Sequence, residues 1–242
     1  MTPATRSSRQ FDLIVFDWDG TLFDSTALIA RSIQAACGDV GAAVPSDRDA
    51  SFVIGMGLKE ALRHAAPDFP EARYAELADR YRHHYFAKQH EILMFDGALD
   101  LLAALKEREH RLAVATGKSR RGLDEALQSK QLLGMFDATR TADETASKPD
   151  PQMLLELMAE LGAAPERTLM IGDTTHDLQL AANAGAASVG VSYGAHDPVE
   201  FERCSPRHVA HSIADLHARP VRRKRTAAEA RVPRRRLGSR GR

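Results

Sequence analysis

Rhythm constrains this chain more than composition does. Short apolar runs at 11–16, 112–115, 168–171 and 187–191 each stop at polar or glycine-rich sequence, and a weaker run lies at 136–141. Stretches with helical spacing separate them, at 99–107, 119–128, 152–161 and 177–184. A short apolar run bounded by turn formers suits a strand buried on both faces, and regular alternation with helices builds right-handed βαβ crossovers. The pattern predicts an α/β fold with a doubly wound parallel sheet of Rossmann-like type. Such sheets gather their chemistry outside the carboxyl ends of the strands, so the residues closing each run matter most.

One segment breaks the rhythm. Residues 25–95 carry helical spacing and no strand signal: Leu28, Ile29, Ile33 and Ala36 form one stripe, and Tyr74, Leu77, Tyr81 and Tyr85 another. A helical insertion of this size predicts a cap subdomain over the strand ends, leaving a discontinuous core of residues 1–24 plus 96–218. The tyrosine stripe reads as core packing rather than a surface for stacking a ligand.

Across all 242 residues, 33 Lys+Arg balance 33 Asp+Glu. The zero hides a split. Residues 219–242 hold eleven of the basic residues and one acid, a tail at +10, which leaves the rest of the chain at −10. That tail has little to bury and reads as disordered; any contact with nucleic acid or an anionic surface falls to it. A hydrophobic content of 43% with 27% charged residues is that of a globular chain. No stretch is apolar for long enough to span a bilayer, and Arg6 and Arg9 precede no signal-like apolar segment. Cys37 and Cys204 form no CxxC pair. Together these features point to the cytoplasm.

Four polar patches close the runs: Asp17-Trp18-Asp19-Gly20-Thr21-Leu22-Phe23-Asp24-Ser25, Thr116-Gly117-Lys118-Ser119, Ser147-Lys148-Pro149-Asp150-Pro151, and Gly172-Asp173-Thr174-Thr175-His176-Asp177. Each alone is ordinary turn chemistry, since Asp and Gly end strands routinely. A parallel sheet brings all four to one edge. The DxDGT signature at 17–21, the GDxxxD signature at 172–177, Thr116 and Lys148 together resemble the haloacid dehalogenase superfamily of phosphohydrolases, over roughly residues 11–217. The helical insertion is similar to the cap of its phosphoglycolate-phosphatase-like branch.

The resemblance implies a Mg²⁺-dependent phosphatase acting on a small phosphorylated metabolite, phosphoglycolate or a similar short acid. Asp17 would attack phosphorus and form an aspartyl-phosphate, which splits one difficult step into two. Asp19 would protonate the leaving alkoxide and later deprotonate the hydrolytic water. Thr116 and Lys148 would bind phosphoryl oxygens, and Gly20 would let the backbone approach the phosphate, with Gly117 in the same loop system. Mg²⁺ favours oxygen ligands, here Asp17, Asp173 and the backbone carbonyl of Asp19, while Asp177 would hold a metal-bound water or orient Lys148. The sequence Gly55-Met56-Gly57-Leu58-Lys59 looks like the cap's substrate loop, in which Lys59 would meet a substrate carboxylate; the plain reading of Lys59 is an exposed helix lysine.

Asp19 separates this chain from family members that cleave carbon–halogen bonds, which lack the second aspartate. The sugar-phosphate mutases usually carry a histidine where this chain reads Ala27-Leu28-Ile29-Ala30-Arg31. A pyrophosphatase or a sugar-phosphate phosphotransferase on the same core differs in the cap and stays open. A nucleic-acid-binding or regulatory protein acting through the tail stands further off, because the catalytic set is intact. Gly117-Lys118 stands where many relatives have Asn after the hydroxyl residue, which leaves substrate preference open. The GKS triplet at 117–119 is no P-loop, since Leu112 occupies a required glycine position. Cys204, His208, His211 and His217 are too loosely spaced for a zinc site, and His176 reads as peripheral to any metal.

Overall fold

A computed structural model describes residues 10–218. The basic tail at 219–242 lies outside the described residues.

Six strands, β1 (Leu13–Phe16), β2 (Arg111–Thr116), β3 (Ala138–Thr141), β4 (Thr168–Gly172), β5 (Ala187–Val191) and β6 (Val209–Ala210), form one sheet. Its order is β3-β2-β1-β4-β5-β6 and every pairing is parallel. The chain builds outward from β1 on one side, then crosses back to lay β4 on the other. The strand order therefore reverses beside β1, where an open α/β sheet leaves its binding crevice. Register puts Phe16 opposite both Val114 and Ile171, so β1, β2 and β4 end close to level. Asp17, Thr116 and Asp173 emerge along one edge for that reason.

Within residues 25–95 the chain forms four α-helices, α1 (Thr26–Asp39), α2 (Asp47–Phe52), α3 (Leu58–Ala65) and α4 (Tyr74–Lys88). No strand element interrupts them; Met94 makes only an isolated bridge to Phe23 where the chain returns. Ile33 and Ala36 of α1 and Leu77 of α4 are buried in the shared core.

The helices α5 (Ala98–Glu107), α6 (Arg120–Ser129), α7 (Gln152–Leu161), α8 (Thr175–Asn183) and α9 (Ile213–Ala218) complete the sandwich. Alternate residues of one strand serve opposite faces. Leu13 and Val15 join Met153, Leu154 and Leu157 of α7 and Leu180 of α8. Ile14 and Phe16 join Leu101, Leu102 and Leu105 of α5 with Ile213 and Leu216 of α9. Burial on both faces explains why β1 and β4 are continuous apolar runs rather than alternating ones. Each such side chain adds about 1.5–3 kcal/mol relative to exposure. No helix among the described residues is long and apolar enough to cross a membrane.

Candidate active site

The GDxxxD stretch folds as it does because its second aspartate caps its own helix. Thr174 and Asp177 form a capping box at the start of α8: the Thr174 hydroxyl accepts from the Asp177 N–H at 3.3 Å. Asp177 Oδ2 accepts in return from the Thr174 N–H at 3.1 Å and its hydroxyl at 2.6 Å. Two orphan N–H groups of the helix are satisfied reciprocally, which fixes the carboxylate before any ligand arrives. Its other oxygen, Oδ1, accepts from Lys148 Nζ at 2.7 Å.

Lys148 is fully buried and also donates to Asp17 Oδ1 at 2.6 Å. Asp173 completes the group: Thr21 donates its hydroxyl to Oδ1 at 2.9 Å, and the Ala195 N–H donates to Oδ2 at 2.7 Å. Asp17, Asp173 and Asp177 offer oxygens that all lie within 4.8 Å of one another. Burial pushes the Asp17 carboxyl well above the usual carboxylate range; Lys148 opposes that shift, and the other aspartates add to it. Asp173 is raised by burial and by the charge of Asp177. Burial works against the Lys148 ammonium, yet Asp17 and Asp177 hold its pKa above the ordinary value.

These residues fit a divalent cation. Three carboxylates face one ammonium, leaving two negative charges when all are ionised. Asp17 Oδ2 is buried with no hydrogen-bond partner among the described residues, and a buried polar atom left so is unfavourable unless something binds it. An all-oxygen donor set suits a hard cation.

Glycine is required where the first motif turns. Gly20 has φ +80°, and a Cβ there would stand 2.1 Å from Asp173 Oδ2. Thr116 is fully buried at the end of β2, where its hydroxyl accepts from the Lys118 N–H at 3.2 Å. Gly117 meets the helical insertion rather than the carboxylates: a Cβ on it would lie 2.3 Å from the Met56 carbonyl oxygen and 2.8 Å from that of Gly55. The Gly57 N–H donates to Ser147 Oγ at 2.8 Å, so the 55–57 loop is seated across two core loops. Further along, the Phe52 carbonyl accepts from His176 Nε2 at 2.8 Å and from His196 Nε2 at 3.0 Å. His176 thus faces the insertion.

Asp19 has partners of its own, distinct from those of the carboxylate cluster. Ser25, the N-cap residue of α1, leaves its helix without a side-chain cap and gives its hydroxyl to Asp19 Oδ1 at 2.7 Å. Lys118 Nζ lies 3.0 Å from the same oxygen and donates to the Tyr85 hydroxyl at 2.8 Å. Burial works against the Lys118 ammonium, but Asp19 and Tyr85 raise its pKa above the usual value. A cavity of about 450 Å³ opens from Asp19, Gly117 and Lys118 into the insertion.

Leu77 and Tyr85 are buried in the core and Tyr74 and Tyr81 pack against it, as the stripe predicts, and Tyr81 and Tyr85 also line that cavity. Lys59 lies exposed among the lining residues. Ser119 accepts from the Gly122 N–H at 3.2 Å as the N-cap of α6, which accounts for the GKS triplet. Tyr85 and the Ala195 N–H carried no motif signal, and Ser25 appeared only as the end of the first polar patch. Thr21 carried one, as the last residue of DxDGT.

A parallel α/β sheet with a carboxylate–lysine cluster at its switch point defines a class of phosphate-handling hydrolases. Residues 14–191 match the family described as haloacid dehalogenase-like hydrolase, and the chain belongs to that family as a phosphohydrolase. It is 33% identical over 224 residues to "Probable phosphatase IndB" of Dickeya dadantii, covering 86% of this chain and 97% of that one. It is 30% identical over 191 residues to a phosphoglycolate phosphatase of Agrobacterium fabrum, covering 76% and 82%. The crystal structure of a hydrolase from Pseudomonas syringae superposes with a TM-score of 0.77 at 26% identity, covering 84% of this chain and 94% of that one.

Proposed function

We propose that this phosphohydrolase is a Mg²⁺-dependent phosphatase of small phosphomonoesters, working through an aspartyl-phosphate on Asp17. The observation that carries the reading is the buried Asp17 carboxylate, held at one oxygen by Lys148 and, among the described residues, free of hydrogen bonds at the other. Asp17 and Asp173 would hold the cation, with the backbone carbonyl of Asp19. The bound cation supplies charge neutralisation between an anionic nucleophile and an anionic substrate.

The chain's own groups do the rest. Asp17 attacks phosphorus as the bond to the substrate alcohol breaks, and Asp19 gives that alcohol its proton. Water then attacks phosphorus, Asp19 takes the proton back, and inorganic phosphate leaves with Asp17 restored. Lys148 and the Thr116 hydroxyl hold the phosphoryl oxygens, and Asp177 keeps Lys148 in place. The α1–α4 layer acts as a cap: with its 55–57 loop seated on Gly117 and Ser147 it closes the cleft and excludes water.

The test is phosphate release from p-nitrophenyl phosphate and from a metabolite panel including phosphoglycolate and pyrophosphate, with and without Mg²⁺. Turnover should require Mg²⁺, and Asp17→Asn should lower kcat by at least about 10³-fold, since it removes the attacking group. Full activity in Asp17→Asn would sink the covalent route. Pyrophosphate outrunning every monoester would favour the pyrophosphatase alternative.

A further inference from the structure

The cavity beyond Asp19 is larger and more apolar than a short acid needs. At about 450 Å³ it falls in the range that encloses whole small-molecule ligands. Ligands that fill sites of that size are much larger than glycolate. Its walls are Ile29 and Ile33 of α1, Ile54 and Met56 of the following loops, and the rings of Tyr81 and Phe86 on α4.

Two further observations point the same way. Phe86 is 46% exposed, an aromatic ring left partly in water beside the cavity. Tyr81 stacks on Tyr85 at a ring separation of 5.8 Å and an interplanar angle of 20°, so an aromatic platform already stands against the cleft. Two of the three lining cations have partners: Lys118 pairs with Asp19, and Arg82 pairs with Asp79 at 2.8 Å. Lys59 is exposed, and Glu60 and Asp143 contribute acids to the same lining. The arrangement suits an uncharged, flat apolar group better than a second anion.

We propose that the alcohol released by this enzyme carries a ring of nucleoside or aryl size, held between α1 and the aromatic face of α4. The proposal rests on the phosphatase reading and names the leaving group of that same reaction. The phosphoryl group lies at Asp17 while the ring occupies the cap-side cavity, covers Phe86 and stacks near Tyr81. Base–aromatic stacking and burial of apolar area supply the selectivity.

The experiment compares kcat/KM of the full chain with Mg²⁺ on ring-bearing and short substrates, with benzyl and ethyl phosphate as the pair of similar alcohol basicity. Benzyl phosphate and a nucleoside 5′-monophosphate form the ring arms; ethyl phosphate, phosphoglycolate and pyrophosphate form the short arms. Ring esters should lead by at least about tenfold, mostly through KM, as expected for added binding of the leaving group. Whichever ring arm leads tells a nucleoside from an aryl alcohol. Phe86→Ala, at a partly exposed position, should shrink the ratio of ring to short turnover, and Ile54→Trp, which fills the cavity, should shrink it further. Free adenosine or benzyl alcohol should compete where glycolate does not.

Phosphoglycolate or pyrophosphate matching the ring esters would overturn the proposal and leave the phosphatase intact. Absence of Mg²⁺-stimulated release from every ester, with Asp17→Asn no different, would overturn the phosphatase reading and this proposal with it.

Discussion

Asp17, Asp173 and Asp177 are each buried beside the others, and one ammonium offsets only part of their mutual repulsion. Such a cluster weakens the fold until a cation binds, because whatever binds only the folded state stabilises it by mass action. Mg²⁺ at about a hundred times its dissociation constant should add roughly 2.7 kcal/mol, a rise of several degrees in Tm for a chain of this size. Asp173→Asn should do the reverse of a usual core substitution: Tm rises without cation, and its response to Mg²⁺ is lost. Thermal melts with EDTA and with Mg²⁺ check both signs, and an unchanged Mg²⁺ response would remove Asp173 from the cation site. The carboxylates were legible in the sequence because the DxDGT and GDxxxD signatures that carry them resemble those of a known family. Lys118 was visible only as a departure, and Tyr85 not at all as its partner. Their pairing across the cleft joins residues 33 positions apart, which no local spacing encodes.

The contact between the 55–57 loop and the end of β2 depends on there being no side chain at position 117. The atoms a Cβ would strike are backbone carbonyls, which cannot swing aside as the tip of a long side chain does. Gly117→Ala should therefore lift the loop, costing about 1–3 kcal/mol of overpacking strain if the loop stays. The expected result is a kcat/KM lowered by about tenfold with the core intact, read from steady-state kinetics beside a circular-dichroism spectrum. A second joint is electrostatic. Arg120 of α6 makes a two-pronged pair with Glu144, at 3.0 and 2.7 Å, just past β3. That pairing, opposed by burial and helped by the Thr141 hydroxyl, lowers the Glu144 pKa to about 2 from an ordinary 4.5. Because the folded value is the depressed one, the stabilisation is complete above about 4.5 and is lost as pH falls through about 2. The Tm gap between the wild type and Glu144→Gln should thus be open at neutral pH and closed at the acid end. Constancy across that window would remove the pair from the stability of this joint. Apolar periodicity disclosed the long core elements, and α7 and β5 fall where the spacing puts them. It could not disclose β6, whose two residues are too short to carry a period.

Charge across the chain is segregated in a way its total conceals. All the groups assigned to the phosphatase reaction lie between Asp17 and Asp177, on elements described within residues 10–218. The acidic body owes part of its excess to carboxylates that a cation would neutralise, so its sign does not oppose a phosphate substrate. The tail at 219–242, with eleven basic residues and one acid, supplies none of those groups. Ending the chain after Ala218 should therefore leave kcat on a small monoester within about twofold of the full chain, with KM unchanged at physiological salt, where exposed charges further apart than about 8 Å are screened. The same truncation should abolish any retention on duplex DNA or on anionic vesicles at low salt. In the full chain that retention should weaken steeply as salt rises, because a cluster of Lys and Arg binds polyanions by releasing counterions. Filter binding and vesicle sedimentation at two salt concentrations, run beside phosphate release on both chains, separate the two halves. If truncation took turnover away, the tail would have to touch the cleft or the cap, and the acidic body would be its docking surface rather than only its electrostatic opposite.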